Sequence, residues 1–218
     1  MLDPLLRRLV DPALGRAATW LARRGVRAAP ATLFGLVVGL LAVPLLAGDH
    51  YGWALVVILL NRLIDGLDGA IARLDGSTPF GGYLDIVCDM AFYAAVPFGF
   101  ALANSDNALW SALLLASFVC TAASFLGRAI MAAQQGEPDD GARGTKSFFH
   151  SAGVIEGSET ILAFVLFCLF PAAFPWLAGA FAMLCFWTAG ARVLGAYRAA
   201  FRRHQQDVVD AFNPTPMD

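Results

Sequence analysis

Stretches of mostly apolar residues, each about as long as a bilayer is thick, follow one another along nearly the whole chain. A hydrocarbon core of about 30 Å takes about 20 helical residues. Six stretches approach that length: residues 31–48, 51–72, 83–103, 108–133, 155–174 and 175–200. The expected fold class is therefore all-α, a polytopic membrane protein of six transmembrane helices preceded by an interfacial amphipathic helix. Of the 218 residues 58% are hydrophobic and only 15% charged, which excludes an ordinary soluble domain.

Orientation follows Lys and Arg rather than net charge, which is only -2. The first thirty residues carry Arg7, Arg8, Arg16, Arg23, Arg24 and Arg27 with no uninterrupted apolar core, so no cleavable signal peptide is expected. The connections after the second and fourth stretches carry Arg73, Arg143 and Lys146, and the C-terminal end carries Arg198, Arg202 and Arg203. The other connections carry no Lys or Arg. Both termini are thus expected in the cytoplasm, which agrees with an even number of spans, and the expected location is a bacterial inner membrane.

Three segments follow. Residues 1–30 read as a cytoplasmic juxtamembrane amphipathic helix, with Leu5, Leu6, Val10, Leu14, Ala18 and Leu21 on one face. With Pro12 in it, the alternative is a helix packed on the protein. Residues 31–203 read as one six-helix transmembrane domain, and residues 204–218 as a short polar cytoplasmic tail. Cys88, Cys120, Cys168 and Cys185 fall one to a span without metal-ligand spacing and are expected to be buried apolar filler. Gly35 and Gly39 form a GxxxG that brings another helix close, either in cis or across a dimer.

Two of the apolar stretches contain Asp65 and Asp68, and Asp85 and Asp89. A charge at the bilayer centre costs roughly 2.5 to 3.5 kcal/mol even on the gentlest scale, so something cationic must sit among the four. Spacings of three and four put each pair on one helix face. A connection of about ten residues containing Gly76, Pro79, Gly81 and Gly82 is expected to let the two helices pack antiparallel, so that the four carboxylates converge. Oxygen-only ligands suit Mg²⁺ or Mn²⁺, and four acids can hold two ions. Two such ions clamp the attacking and leaving oxygens of a displacement at phosphorus. Arg73 is placed to neutralise a phosphate oxygen.

The run Asp65-Gly-Leu-Asp68-Gly69-Ala-Ile-Ala72-Arg73, followed by Gly81, Asp85 and Asp89, resembles the signature of the CDP-alcohol phosphatidyltransferases. The gap from Arg73 to Gly81 is one residue shorter than usual for that family, and is expected to change the turn rather than the site. Thr32 matches the Thr that opens the family's first span, but the Asn that often precedes it is absent from RAAPATLFG. The resemblance implies that Asp65, Asp68 and Asp85 ligate metal, and that Asp89 both touches a second ion and acts as general base. It implies that Gly69 and Gly81 let a cytidine nucleotide approach the backbone, with Ala72 lining the same face and Arg73 on the diphosphate. It also implies CDP-diacylglycerol as donor, a small alcohol as acceptor, CMP as product, a role in phospholipid biosynthesis, and a homodimer. No nucleic-acid partner is expected.

The acceptor is left open between serine, glycerol 3-phosphate, inositol phosphate and others. Candidates to bind it are Arg128, Arg143, Lys146, Glu156, Glu159 and Arg192. Rival readings are a cation or proton transporter built on the intramembrane aspartates, a nonenzymatic membrane scaffold, and a related transferase using a soluble CDP-alcohol.

Overall fold

The computed structural model describes residues 14–134 and 157–212, with side chains described as far as residue 201. These residues are helical apart from short connections. In chain order the helices are α1 (14–23), α2 (Ala28–Leu40), α3 (Ala42–Ala47), α4 (Tyr51–Asp75), α5 (Pro79–Ala103), α6 (Ala108–Gln134), α7 (Gly157–Leu169) and α8 (Phe174–Phe212).

Among the described residues four segments are long and apolar enough to cross a membrane: Ala28–Ala47, Pro79–Ala103, Ser105–Gln134 and Pro171–Phe201. The chain is thus an all-helical membrane protein, and four of the six spans read from the sequence meet that criterion among the described residues. Of the other two expected spans, α4 is 25 residues long but carries Arg62, Asp65 and Asp68 in its apolar run. The described part of α7 has only 13 residues. The first span is two helices, broken at Leu41. Pro44 explains the break, since it has no N–H to offer the Leu40 carbonyl and its ring crowds that oxygen.

The described part of the N-terminal segment is packed on the protein. Ala18 of α1 is fully buried against Ala70 and Ile71 of α4, with Leu21 beside them. The opposite side presents Trp20, more than half exposed, with the Arg24 guanidinium 3.9 Å from its ring centre. At the other end of the chain, α8 continues to Phe212, through much of the segment read as a polar tail. At 1.5 Å per residue its 39 residues span about 58 Å, far more than a hydrocarbon core needs.

Helix α2 packs against both α4 and α5, α6 packs on α5 and α8, and α7 joins α4 to α8. The core is aromatic. Phe100 of α5 stacks on Phe174 at 4.3 Å and meets Phe167 edge-on, while Phe92 meets Phe164 of α7 edge-on. Three of the four cysteines are buried as expected, Cys168 and Cys185 in this interior and Cys88 elsewhere on α5, but Cys120 is exposed on α6. Without water to drive apolar helices together, such contacts and close backbone approach hold the bundle.

The glycines of the first span serve this approach in cis. A Cβ on Gly39 would lie 2.6 Å from Phe92 Cδ2 and 2.8 Å from Asn61 Nδ2, and one on Gly35 would lie 3.0 Å from Ile64.

Candidate active site

The aspartates lie in the halves of α4 and α5 that flank one tight turn. That turn is three residues, not about ten: Asp75 ends α4 and Pro79 begins α5. Gly76 takes φ +91°, a left-handed conformation that only glycine adopts cheaply. Thr78 caps α5 by accepting the Gly81 N–H at 3.0 Å, and Pro79 sits in the first turn, where its missing N–H costs nothing. Pro79, Gly81 and Gly82 are therefore helix starters here rather than loop.

The turn returns Asp85 to the pair on α4. One ligand oxygen from each of Asp65, Asp68 and Asp85 lies within 4.8 Å of the other two. Asp68 is 4% exposed, and its Oδ2 is buried with no hydrogen-bond partner among the described residues. A buried carboxylate oxygen left unpaired is costly, and a divalent ion is the partner that three converging carboxylates suit. The residues present thus fit a metal.

Asp89 is held differently. Its Oδ1 is 2.9 Å from Nη2 of Arg62, a residue that sequence reasoning passed over. Nη1 of the same guanidinium stands 3.6 Å from Asp65. Arg62 Nε donates to Asn61 Oδ1 at 2.8 Å, and Asn61 Nδ2 donates to the Gly35 carbonyl at 2.8 Å. Residues of three helices line the resulting hollow: Thr32, Gly35 and Leu36 from α2, Asn61, Arg62, Asp65 and Asp68 from α4, and Cys88 and Asp89 from α5. A cation in an apolar helix invites the same question as the aspartates do, and its spacing of three from Asp65 was the available signal.

The remaining signature residues border this cluster. Arg73 is exposed, and its Nη1 would be 3.6 Å from a Cβ placed on Gly69, one turn earlier. Ala72 is half-buried. A Cβ on Gly81 would stand 3.1 Å from the Thr78 Oγ1 that caps the helix, so this glycine also serves the turn.

Of the residues considered for the acceptor, the three that are described, Arg128, Glu159 and Arg192, are not among those lining the hollow. Arg192 of α8 points at α6, with Nη1 3.4 Å from the Thr121 carbonyl oxygen. Arg128 is half-buried on α6. Glu159 lies in the first turn of α7, where its Oε2 accepts from the Ser158 hydroxyl at 3.1 Å. Arg143, Lys146 and Glu156 lie outside the described residues.

A membrane bundle in which three carboxylates converge beside a buried guanidinium holds a polar site among apolar helices, the kind of placement that marks function in a membrane protein. Residues 28–191 match the CDP-alcohol phosphatidyltransferase pattern, and the chain belongs to that family and enzyme class. It is similar to the inner membrane protein YnjF of Escherichia coli (strain K12), at 48% identity over 90% of this chain and 96% of that protein. An archaetidylinositol phosphate synthase of Pyrococcus horikoshii is 33% identical over 44% of this chain and 52% of its own length. The fold is similar to that of a Mycobacterium tuberculosis phosphatidylinositol phosphate synthase in complex with manganese and citrate. That likeness has a TM-score of 0.61, 22% identity, and coverage of 84% of this chain and 88% of that one. Another crystal structure of the mycobacterial protein has CDP-DAG bound. Family membership sets aside the transporter and scaffold readings.

Proposed function

We propose that this chain transfers a phosphatidyl group from CDP-diacylglycerol to the hydroxyl of a small polar alcohol and releases CMP, as a step of phospholipid biosynthesis. The observation that carries this reading is the convergence of Asp65, Asp68 and Asp85 around a buried, unpartnered carboxylate oxygen within the family signature. Those three residues would hold the first divalent ion, Mg²⁺ or Mn²⁺, and Asp89 would contribute to a second. Bound there, the ions supply charge neutralisation at the diphosphate and acidify the acceptor hydroxyl.

The side chains do the rest. Asp89 takes the proton of the acceptor hydroxyl as its oxygen bonds to the lipid-side phosphorus, and the bond from that phosphorus to the CMP oxygen breaks. Arg73 neutralises a diphosphate oxygen, while Gly69, Ala72 and Gly81 leave room for the nucleotide along the helix face. Such a reaction gains mainly from alignment and charge stabilisation, which a rigid cluster of oxygens and one guanidinium provide.

Inositol phosphate is the first acceptor to try, because the archaeal relative is an archaetidylinositol phosphate synthase. The site would face the cytoplasm, where the arginine distribution puts both termini of a six-span, homodimeric protein. The test is to incubate purified protein with CDP-diacylglycerol, Mg²⁺ and a panel of alcohols, and to follow CMP. Release that stops on chelation and returns with Mg²⁺ or Mn²⁺ is expected. Metal-dependent release from a soluble CDP-alcohol, with none from CDP-diacylglycerol, would overturn the donor assignment.

A further inference from the structure

Every nitrogen of the Arg62 guanidinium is engaged within the chain. Nη2 pairs with Asp89 at 2.9 Å, Nη1 stands 3.6 Å from Asp65 Oδ2 and 3.5 Å from the Tyr93 hydroxyl, and Nε donates to Asn61 at 2.8 Å. The plane lies over two rings, 4.5 Å from the centre of Phe92 and 5.4 Å from that of Tyr93. The side chain is only 16% exposed. This is a built position rather than a cation reaching for water at a membrane surface.

The four aspartates are consequently not equivalent. Asp65, Asp68 and Asp85 offer oxygens to a common centre, and Asp68 Oδ2 has no hydrogen-bond partner among the described residues. The Asp89 carboxylate already has a cation. Four carboxylates and one guanidinium sum to a charge of about -3, which one divalent ion brings to about -1 and two would overcompensate unless an anion enters with the second.

We propose that Arg62 is a built-in counter-cation that occupies Asp89 in the substrate-free protein. The cluster then takes a single divalent ion through Asp65, Asp68 and Asp85. Asp89 becomes available only when Arg62 leaves it. The donor's diphosphate is an anion to which a guanidinium can transfer, since arginine pairs with phosphate as it does with carboxylate. Arg62 is thus a positioning residue that makes release of Asp89 depend on the donor's arrival. This rests on reading the aspartate cluster as a metal site.

The test counts Mn²⁺ bound to the full-length protein in detergent without nucleotide, by the paramagnetic resonance of the free ion. One ion per chain is expected. Asp89→Asn should move its affinity by less than about fivefold, well short of the roughly 10- to 100-fold loss that follows when a group supporting the metal is removed, because Asp89 is engaged by Arg62. Asp68→Asn should weaken it at least about tenfold. Arg62→Gln should tighten a second ion by about tenfold or more, and Arg62→Lys should restore the single-ion behaviour. Two ions of similar affinity in the wild type, or a tenfold loss on Asp89→Asn, would overturn the role of Arg62 and leave the metal site standing. Absence of any bound Mn²⁺ would remove the metal site and this role together. Should Arg62→Gln fail to fold, the Asp89→Asn comparison decides alone, because it alters one atom type at unchanged size.

Discussion

The Asn61 amide donates to the Gly35 carbonyl oxygen at 2.8 Å, so the helix carrying Asp65 and Asp68 is fastened to the backbone of the first span one turn before the carboxylates begin. That bond is possible only because α2 and α4 approach closely where Gly35 and Gly39 have no side chains. The glycines thereby belong to the site's support, although they touch neither substrate nor metal.

Gly39→Val tests this support. Its Cβ would meet Phe92 and Asn61 at under 3 Å, and both neighbours are held by the Arg62 network. Overpacking of this kind costs about 1 to 3 kcal/mol. A lower midpoint of thermal unfolding in detergent is expected, together with weaker Mn²⁺ binding. An unchanged midpoint would show that α2 can back away freely.

Asp89→Asn should lower CMP release by about 100-fold or more while the KM for the donor changes little, since a positioned general base contributes roughly 10² to 10⁴. Steady-state kinetics with CDP-diacylglycerol check this. Near-normal turnover would exclude Asp89 as the base.

Arg73 lies at the exposed end of α4, over Gly69. Arg73→Ala is expected to raise the donor KM about tenfold, and Arg73→Lys to recover only part of it, because an ammonium lacks the guanidinium's bidentate fork. Equal recovery by lysine would reduce its role to charge alone.

Thr78→Ala removes the oxygen that caps α5. A loss of about 1 kcal/mol in stability is expected from unfolding curves. Asp85 stands two turns into the same helix, so Mn²⁺ affinity should fall with it. Intact metal binding after measurable destabilisation would mean that Asp85 is positioned by packing on α2 rather than by the turn.

The aspartates were legible because charge is conspicuous in an apolar run, and periodicity then placed each pair on a face. Arg62 obeys the same logic but went unread, because a metal alone was credited with balancing the acids. The turn was misjudged for a different reason: Pro79, Gly81 and Gly82 are residues of loops and also of helix starts, and the capping Thr78 decides between them. The break at Leu41 followed a proline whose effect falls four residues upstream. Nothing in local pattern says which distant helices meet, so Arg128, Glu159 and Arg192 could not be ranked as acceptor ligands from sequence.

The charges of α4 bear on how the protein is made. Arg62, Asp65 and Asp68 would each cost up to roughly 2.5 to 3.5 kcal/mol on the insertion scale, most for the residue nearest the bilayer centre, which opposes entry of this helix alone. Its partners lie on either side of it in the chain: α2 emerges earlier, and Asp85 and Asp89 on α5 emerge just after. In the six-span arrangement proposed above, α4 would therefore wait at the insertion machinery until α5 is synthesised, and the two would enter as a hairpin in which Arg62 pairs with Asp89. Asp89 would then be set against Arg62 before the second half of the bundle exists.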